Sequence, residues 1–239
     1  AKALRSVPVA RFGPPVPDAM SQRHWDMAYR SPATHLAAHA IAARVRVEPT
    51  AVLLAAFAVT LAAITGQHPV VAQVLVSNRF RPGFGDTVGP IAQPGLCVLD
   101  IADIPFDEAI GRTRRASLVA SMHAYYDPDQ RDRLIAAVAR ERGAQIDLSC
   151  FFNHRTRPSA QALSIAGADE LRDALGRGEL TWDAPPVRRN ERLYLSIDDR
   201  PDRMDYSIGV DTRYFSRADT EALVRGMESL LVENAVTPP

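Results

Sequence analysis

Between Glu48 and Asp100 the chain separates its apolar and polar positions more sharply than anywhere else. From Ala51 to Ile64 the only polar residue is Thr60. A helix that is apolar on every side is one buried on every side. Pro49-Thr50 supplies its start and Gly66 its stop. The run is too short to cross a bilayer, so it predicts a core helix. Val70–Val76 then reads VVAQVLV, a nearly continuous apolar run that predicts a strand covered on both faces. Asn78–Asp86 is a loop rich in Arg, Gly and Pro, and Gly95–Ile101 reads as a second strand. Helix, strand, polar loop, strand is the middle of an α/β layer. Its loop projects from the end of the sheet, where binding groups usually sit.

The same pattern places the other elements. Ser31-Pro32 opens a helix to about Val45, with Leu36, Ala40 and Ile41 inward. Pro105-Phe106 leads into an amphipathic helix over Asp107–His123, broken by Tyr125-Tyr126-Asp127-Pro128. A further helix follows over Asp129–Arg142, closed by Gly143. Ile146–Asn153 reads as a strand, Thr156–Gly167 as a loose polar stretch, Ala168–Leu175 as a short helix and Leu180–Asp183 as a short strand. Leu193–Asp198 and Met204–Phe215 read as a hairpin that turns at an Asp/Pro-rich segment. Ser216 and Asp219 have the spacing of a helix N-terminus, and that helix runs to about Asn234. Ala1–Arg30 is proline-rich at its start and is expected to be irregular, a linker or a strap over a neighbour, with Trp25 as an anchor. The expectation is an α/β fold, a mixed sheet flanked by helices, with residues 31–239 as one lobe.

Composition narrows the function classes. Hydrophobic residues make up 46% and charged residues 23% of the 239 positions, ordinary values for a globular protein. The formal net charge is zero, so no global field favours nucleic acid or an anionic membrane. Lys2 is the only lysine; arginine supplies the remaining basic side chains. Cys97 and Cys150 both fall in apolar strand patterns, which points to reduced, buried thiols and a cytoplasmic protein. No targeting segment or long apolar run is visible, so no membrane association is expected. The chain starts at Ala1 without an initiator Met, as an internal segment of a longer protein would.

Candidate chemistry is sparse. His123 and Asp127 form an HxxxD string. That spacing suits a histidine base on a loop fixed by an aspartate. It equally suits a histidine at a helix C-terminus, favoured by the dipole, before a turn. His35 and His39 lie one turn apart on a helix face, but no third ligand is in view and no metal site is expected. There is no G-x-S-x-G elbow, no G-x-G-x-x-G, no P-loop and no zinc-spaced Cys/His cluster.

Longer strings carry more. TGQHPVVAQVLVSNRF, TVGPIAQPGLCVLDI and PFDEAIGRTRRA, in that order, resemble the C-terminal lobe of condensation domains of nonribosomal peptide synthetases, within the chloramphenicol-acetyltransferase-like superfamily. Val88–Pro94 occupies the place of that family's Val/Ile-Gly-Pro-Phe-Val-Asn-Thr block, with Gln93-Pro94 in place of Asn-Thr. His123–Pro128 resembles a His/Asn-Gln-Asp-Tyr-Pro-Phe-Glu block better than a catalytic HxxxD. The likeness runs over about Ser31–Asn234. It implies acyl transfer between thioesters carried on phosphopantetheine arms, with no cofactor bound directly. The implied partners are an N-terminal lobe and the donor and acceptor carrier domains. The family's His-His-x-x-x-Asp-Gly motif belongs to the N-terminal lobe and has no match here, so this half is expected to be inactive alone. The resemblance makes Asn78, Arg79, Gly89, Gln93 and Tyr126 supports of a tunnel wall or lobe interface. Arg79 would tie its loop to a carboxylate or to backbone carbonyls, with Arg81 in solvent. The alternatives are a noncatalytic carrier-docking module and a self-sufficient acyltransferase using His123 and Asp127.

Overall fold

The structure is a computed structural model that describes residues 2–9, 12, 23–156, 167–183 and 190–236. Its helices are α1 (Lys2–Arg5), α2 (Pro32–Val45), α3 (Pro49–Thr65), α4 (Phe106–Met122), α5 (Pro128–Arg142), α6 (Ala168–Leu175) and α7 (Arg217–Val236). Its strands are β1 (His24–Ser31), β2 (Val70–Ser77), β3 (Ala92–Leu99), β4 (Cys150–Arg155), β5 (Glu179–Asp183), β6 (Leu193–Asp199) and β7 (Met204–Asp211). The strands form one mixed sheet in the order β3-β2-β4-β6-β7-β1-β5. β2, β4 and β6 run parallel to one another and the other pairings are antiparallel. The α/β class read from the hydrophobic pattern is the one observed.

The helices start and stop where capping chemistry allows. Ser31 Oγ accepts from the Thr34 amide at 2.8 Å to cap α2. Ser216 and Asp219 form the reciprocal pair expected at the start of α7: Oγ accepts from the Asp219 amide at 3.0 Å, and the carboxylate accepts from the Ser216 amide at 3.2 Å. Gly66 and Gly143 close α3 and α5 in the left-handed conformation. From Ala51 to Ala58 every residue of α3 is buried, which is why this helix needs no polar face. Phe57 on α3 meets Phe152 on β4, ring centroids 5.6 Å apart. Leu195, the β6 partner of Phe152, is fully buried beside it.

Several local expectations are corrected. Residues 24–31 are not irregular but form β1, between β7 and β5. Met27, Tyr29 and Ser31 on this strand are buried. Lys2–Arg5 is a helical turn, held to α5 by the Arg5–Glu141 pair and by Arg142, which donates to the Leu4 and Val7 carbonyls. Residues 146–149 precede the strand rather than belonging to it: Asp147 accepts from the Ser149 amide at 2.9 Å, a local turn that competes with the ladder. Residues 212–215 leave the sheet after Asp211. Most of the stretch 156–167 lies outside the described residues. Trp25 does pack on the body, with the Arg217 guanidinium 4.6 Å from its ring.

Both cysteines are buried thiols. Burial pushes Cys97 up to about 12, so it stays protonated and unreactive near neutral pH. No single helix among the described residues is long and apolar enough to cross a membrane.

Candidate functional site

The three parallel strands deliver their C-terminal ends, Ser77, Arg155 and Asp199, to one edge of the sheet. At Ser77 the chain leaves the sheet through a tight turn, Asn78–Phe80, and loops back to β3. Loops at strand ends have few backbone partners of their own, so side chains must supply them. Here they do.

Asn78 is fully buried and uses its whole amide. Its Nδ2 donates to the Ile91 carbonyl at 3.0 Å and to the Ala124 carbonyl at 2.9 Å. Its Oδ1 accepts from Arg81 Nε at 3.0 Å. One side chain thus ties the end of β2 to both the return of the loop and the turn after α4. Arg79 sends its two terminal nitrogens to the Thr87 and Gly89 carbonyls, the latter at 3.2 Å. The fork closes the loop on itself. Gly89 sits at a φ of 148°, a conformation that favours glycine.

Arg81 is not in solvent as the sequence suggests. Besides its bond to Asn78 it donates to the Met122 carbonyl at 3.1 Å, and its guanidinium lies 5.1 Å from the Tyr125 ring. It is a second tie between the loop and the end of α4, after Asn78. No local signal distinguishes it from Arg79, because its partner on α4, Met122, is 41 residues away.

Gln93 forms a reciprocal pair with the backbone of Tyr126. Its Nε2 donates to the Tyr126 carbonyl at 2.9 Å and its Oε1 accepts from the Tyr126 amide at 3.1 Å. The Tyr126 hydroxyl in turn donates to the Pro94 carbonyl at 2.8 Å. Arg131 on α5 stands beside that ring, 5.6 Å from its centroid. Gln93 and Pro94 are thus both bonded to Tyr126 across the start of β3.

The HxxxD string divides. Asp127 turns away from the histidine: its carboxylate accepts from the Asp129 and Gln130 amides at 2.8 and 3.1 Å and caps α5. His123 ends α4, its amide bonded to the Ala120 carbonyl at 3.2 Å. Its exposed ring lies on the rim of a cleft of about 680 Å³. That cleft is bounded by Pro94 and Leu96 of β3, the end of α4, Tyr126 and Ile135. Its lining is mostly apolar, and Gln73 and Arg131 add polar groups. Asn78, Arg79, Gly89, Gln93 and Tyr126 thus share one network of bonds around the β2–β3 loop and the α4–α5 turn, and Tyr126 lines this cleft.

The outer side of the wall is apolar. Among the described residues, nine large apolar side chains are exposed; Phe80 and Val88 stand on the β2–β3 loop and Met122 and Tyr125 at the α4–α5 turn, while Val119 lines the cleft. Val88 is wholly exposed and Met122 71% exposed.

No family model and no curated protein matches this sequence. Solved structures do. A structure of condensation domain-mediated chain release from the enacyloxin polyketide synthase is 16% identical over 100% of this chain and 47% of its own, at a TM-score of 0.68. The X-domain from teicoplanin biosynthesis is 17% identical over 98% of this chain and 52% of its own, at a TM-score of 0.67. PapA2 acyl transferase is 11% identical over 94% of this chain and 47% of its own, at a TM-score of 0.68. The chain spans about half the length of each. At these identities the likeness is one of architecture: this chain has the α/β fold of one lobe of a condensation domain.

Proposed function

We propose that this chain is the C-terminal lobe of a condensation-type enzyme of nonribosomal peptide biosynthesis. It would help form an amide or ester between acyl groups carried as thioesters on phosphopantetheine arms. The observation that carries the reading is the bonded wall with its exposed apolar side. Asn78, Arg81, Gln93 and Tyr126 tie the β2–β3 loop and the start of β3 to the α4–α5 turn, and Arg79 closes the loop on itself. Phe80, Val88 and Met122 then face outward on that base, as a surface made to be covered does. The proposed cover is an N-terminal lobe with the His-His-x-x-x-Asp-Gly motif, upstream or in trans. Donor and acceptor carrier domains would deliver the two arms to the cleft between the lobes. This half then contributes position and the exclusion of water, not proton transfer.

The test is reconstitution with such an N-terminal lobe and loaded carrier domains. The chain alone is expected to give no condensation product and the pair to give it. Arg79→Lys should lower turnover of the pair, because an ammonium cannot hold two carbonyls in the fork geometry. Arg172→Lys, on the exposed side of α6 and away from the wall, should not. Equal, small effects of both substitutions would remove Arg79 from the wall.

A second reading, a self-sufficient acyltransferase, draws on His123 at the cleft rim. It lacks the aspartate, which caps α5 instead. His123→Ala is expected to change turnover of the pair less than tenfold, whereas loss of a general base costs ~100-fold or more. Robust turnover by the lone chain, abolished in His123→Ala, would favour the second reading. Carrier binding without turnover in any combination would favour a docking module.

A further inference from the structure

The carboxyl edge of the sheet holds a second polar cluster, away from the wall and on the helical side. His35 and His39 stand one turn apart on α2, ring centroids 4.6 Å apart. Between them comes Asp199, the last residue of β6. Its Oδ1 lies 3.1 Å from His35 Nδ1 and its Oδ2 3.0 Å from His39 Nε2. The third ligand that α2 could not show by itself is therefore supplied from 160 residues away. His35 is only 3% exposed, and its Nε2 has no hydrogen-bond partner among the described residues. His154 on β4, bonded to Thr50 at 2.8 Å through Nδ1, likewise has a buried Nε2 without a partner.

Neither of these two nitrogens is a ligand atom of the cluster; what points to a ligand is the convergence of His35 Nδ1 and His39 Nε2 on one carboxylate. The geometry points to a divalent transition-metal site of the zinc class, formed by His35 Nδ1, His39 Nε2 and a carboxylate oxygen of Asp199. One ligand atom from each residue can be chosen so that all three lie within 4.8 Å of one another. A tetrahedral ion with arms of about 2.0–2.1 Å sets its ligands roughly 3.3 Å apart, so closure requires shifts on the order of 1 Å. Two imidazoles with one carboxylate suit zinc, cobalt or nickel; magnesium and calcium prefer oxygen throughout. His39 and Asp199 are partly exposed, which gives the ion an entry path and leaves its fourth position to water. The ion would clip α2 to the β6–β7 turn.

Zn²⁺ alone is the probe, titrated by calorimetry into the chelator-stripped chain, with Mg²⁺ as the comparison. One Zn²⁺ per chain is expected, with Tm raised by about 5 °C or more at a hundredfold excess over Kd, and no response to Mg²⁺. Asp199→Asn and His39→Gln should each weaken binding at least tenfold, and His123→Ala should leave it unchanged. Failure of the wild-type chain to bind at 100-fold molar excess overturns the site. So does binding that survives within twofold in both ligand variants, which would place the ion on surface histidines. Circular dichroism checks that the variants fold. If they do not, Co²⁺ in the wild-type chain decides: intense visible absorption of tetrahedral nitrogen and oxygen coordination supports the site, and the pale octahedral spectrum overturns it. None of these outcomes depends on acyl transfer.

Discussion

Asn78→Ala is expected to lower the stability of the chain by about 2–4 kcal/mol, measured by urea unfolding. The substitution strips a fully buried amide from three partners at once. The Ile91 and Ala124 carbonyls lose their donor, and Arg81 Nε loses its acceptor. A buried polar group left unpaired costs roughly 1–3 kcal/mol, and the Ala124 bond is the more deeply buried of the two donated. Asn78→Asp separates hydrogen bonding from shape. It fits the same space and can still accept from Arg81, but it sets a carboxylate oxygen against two carbonyls. It should be at least as destabilising as alanine. If aspartate instead restores stability, the two donated bonds are not what holds the turn. In the reconstituted pair both variants should also lose turnover, because the loop that carries Phe80 and Val88 is no longer anchored to the end of α4.

Glu228→Ala should cost the fold about 3–5 kcal/mol, since two buried hydroxyls lose a charged acceptor. Glu228, on α7, is only 5% exposed. Its Oε2 accepts from the Tyr29 hydroxyl at 2.8 Å and its Oε1 from Ser31 Oγ at 2.5 Å. Ser31 is also the cap of α2, so this carboxylate locks α7 to the junction of β1 and α2. Burial, and then the adjacent Glu228, push the Tyr29 hydroxyl far above its ordinary range, so it remains a donor at every working pH. Glu228→Gln keeps an acceptor oxygen in place and should cost about half as much or less. Thermal unfolding of the two variants side by side gives the comparison; equal losses would mean that volume, not the accepted bonds, matters at this position.

What the sequence makes legible follows from the range of each interaction. α3 and β2 are plain because an element buried on all sides writes an uninterrupted apolar run. The caps at Ser31 and Ser216 are local, within three residues, and so are visible as strings; the equally local cap at Asp127 is hidden behind the HxxxD spacing. β1 is harder. Trp25, Met27 and Tyr29 do alternate with Asp26, Ala28 and Arg30, but the prolines before them suggest a linker, and the strand exists because β7 and β5 lie on either side of it. The wall is legible in its members, through resemblance, and not in its bonds. Gln93 reaches Tyr126 across 33 residues and Arg81 reaches Met122 across 41. No spacing rule connects such pairs, which explains why Arg81 looks like any other arginine of an arginine-rich loop. The cluster on α2 is an extreme case: two histidines at helical spacing carry no meaning until β6 ends beside them.

The acceptors in the wall are nearly all main-chain oxygens, and this has an evolutionary consequence. Asn78, Arg79, Arg81, Gln93 and Tyr126 address the carbonyls of Ile91, Ala124, Thr87, Gly89, Met122, Tyr126 and Pro94. A carbonyl persists whatever side chain its residue bears. Thr87, Ile91 and Met122 can therefore drift, and Val88 between them can be exchanged outright, while the bonds beneath stay in place. Gly89 is the exception, because its φ of 148° resists other residues. The wall is built so that its donors are constrained and its outer face is free to diverge, which would let a lineage retune the surface proposed to meet a neighbouring lobe without rebuilding the loop that carries it.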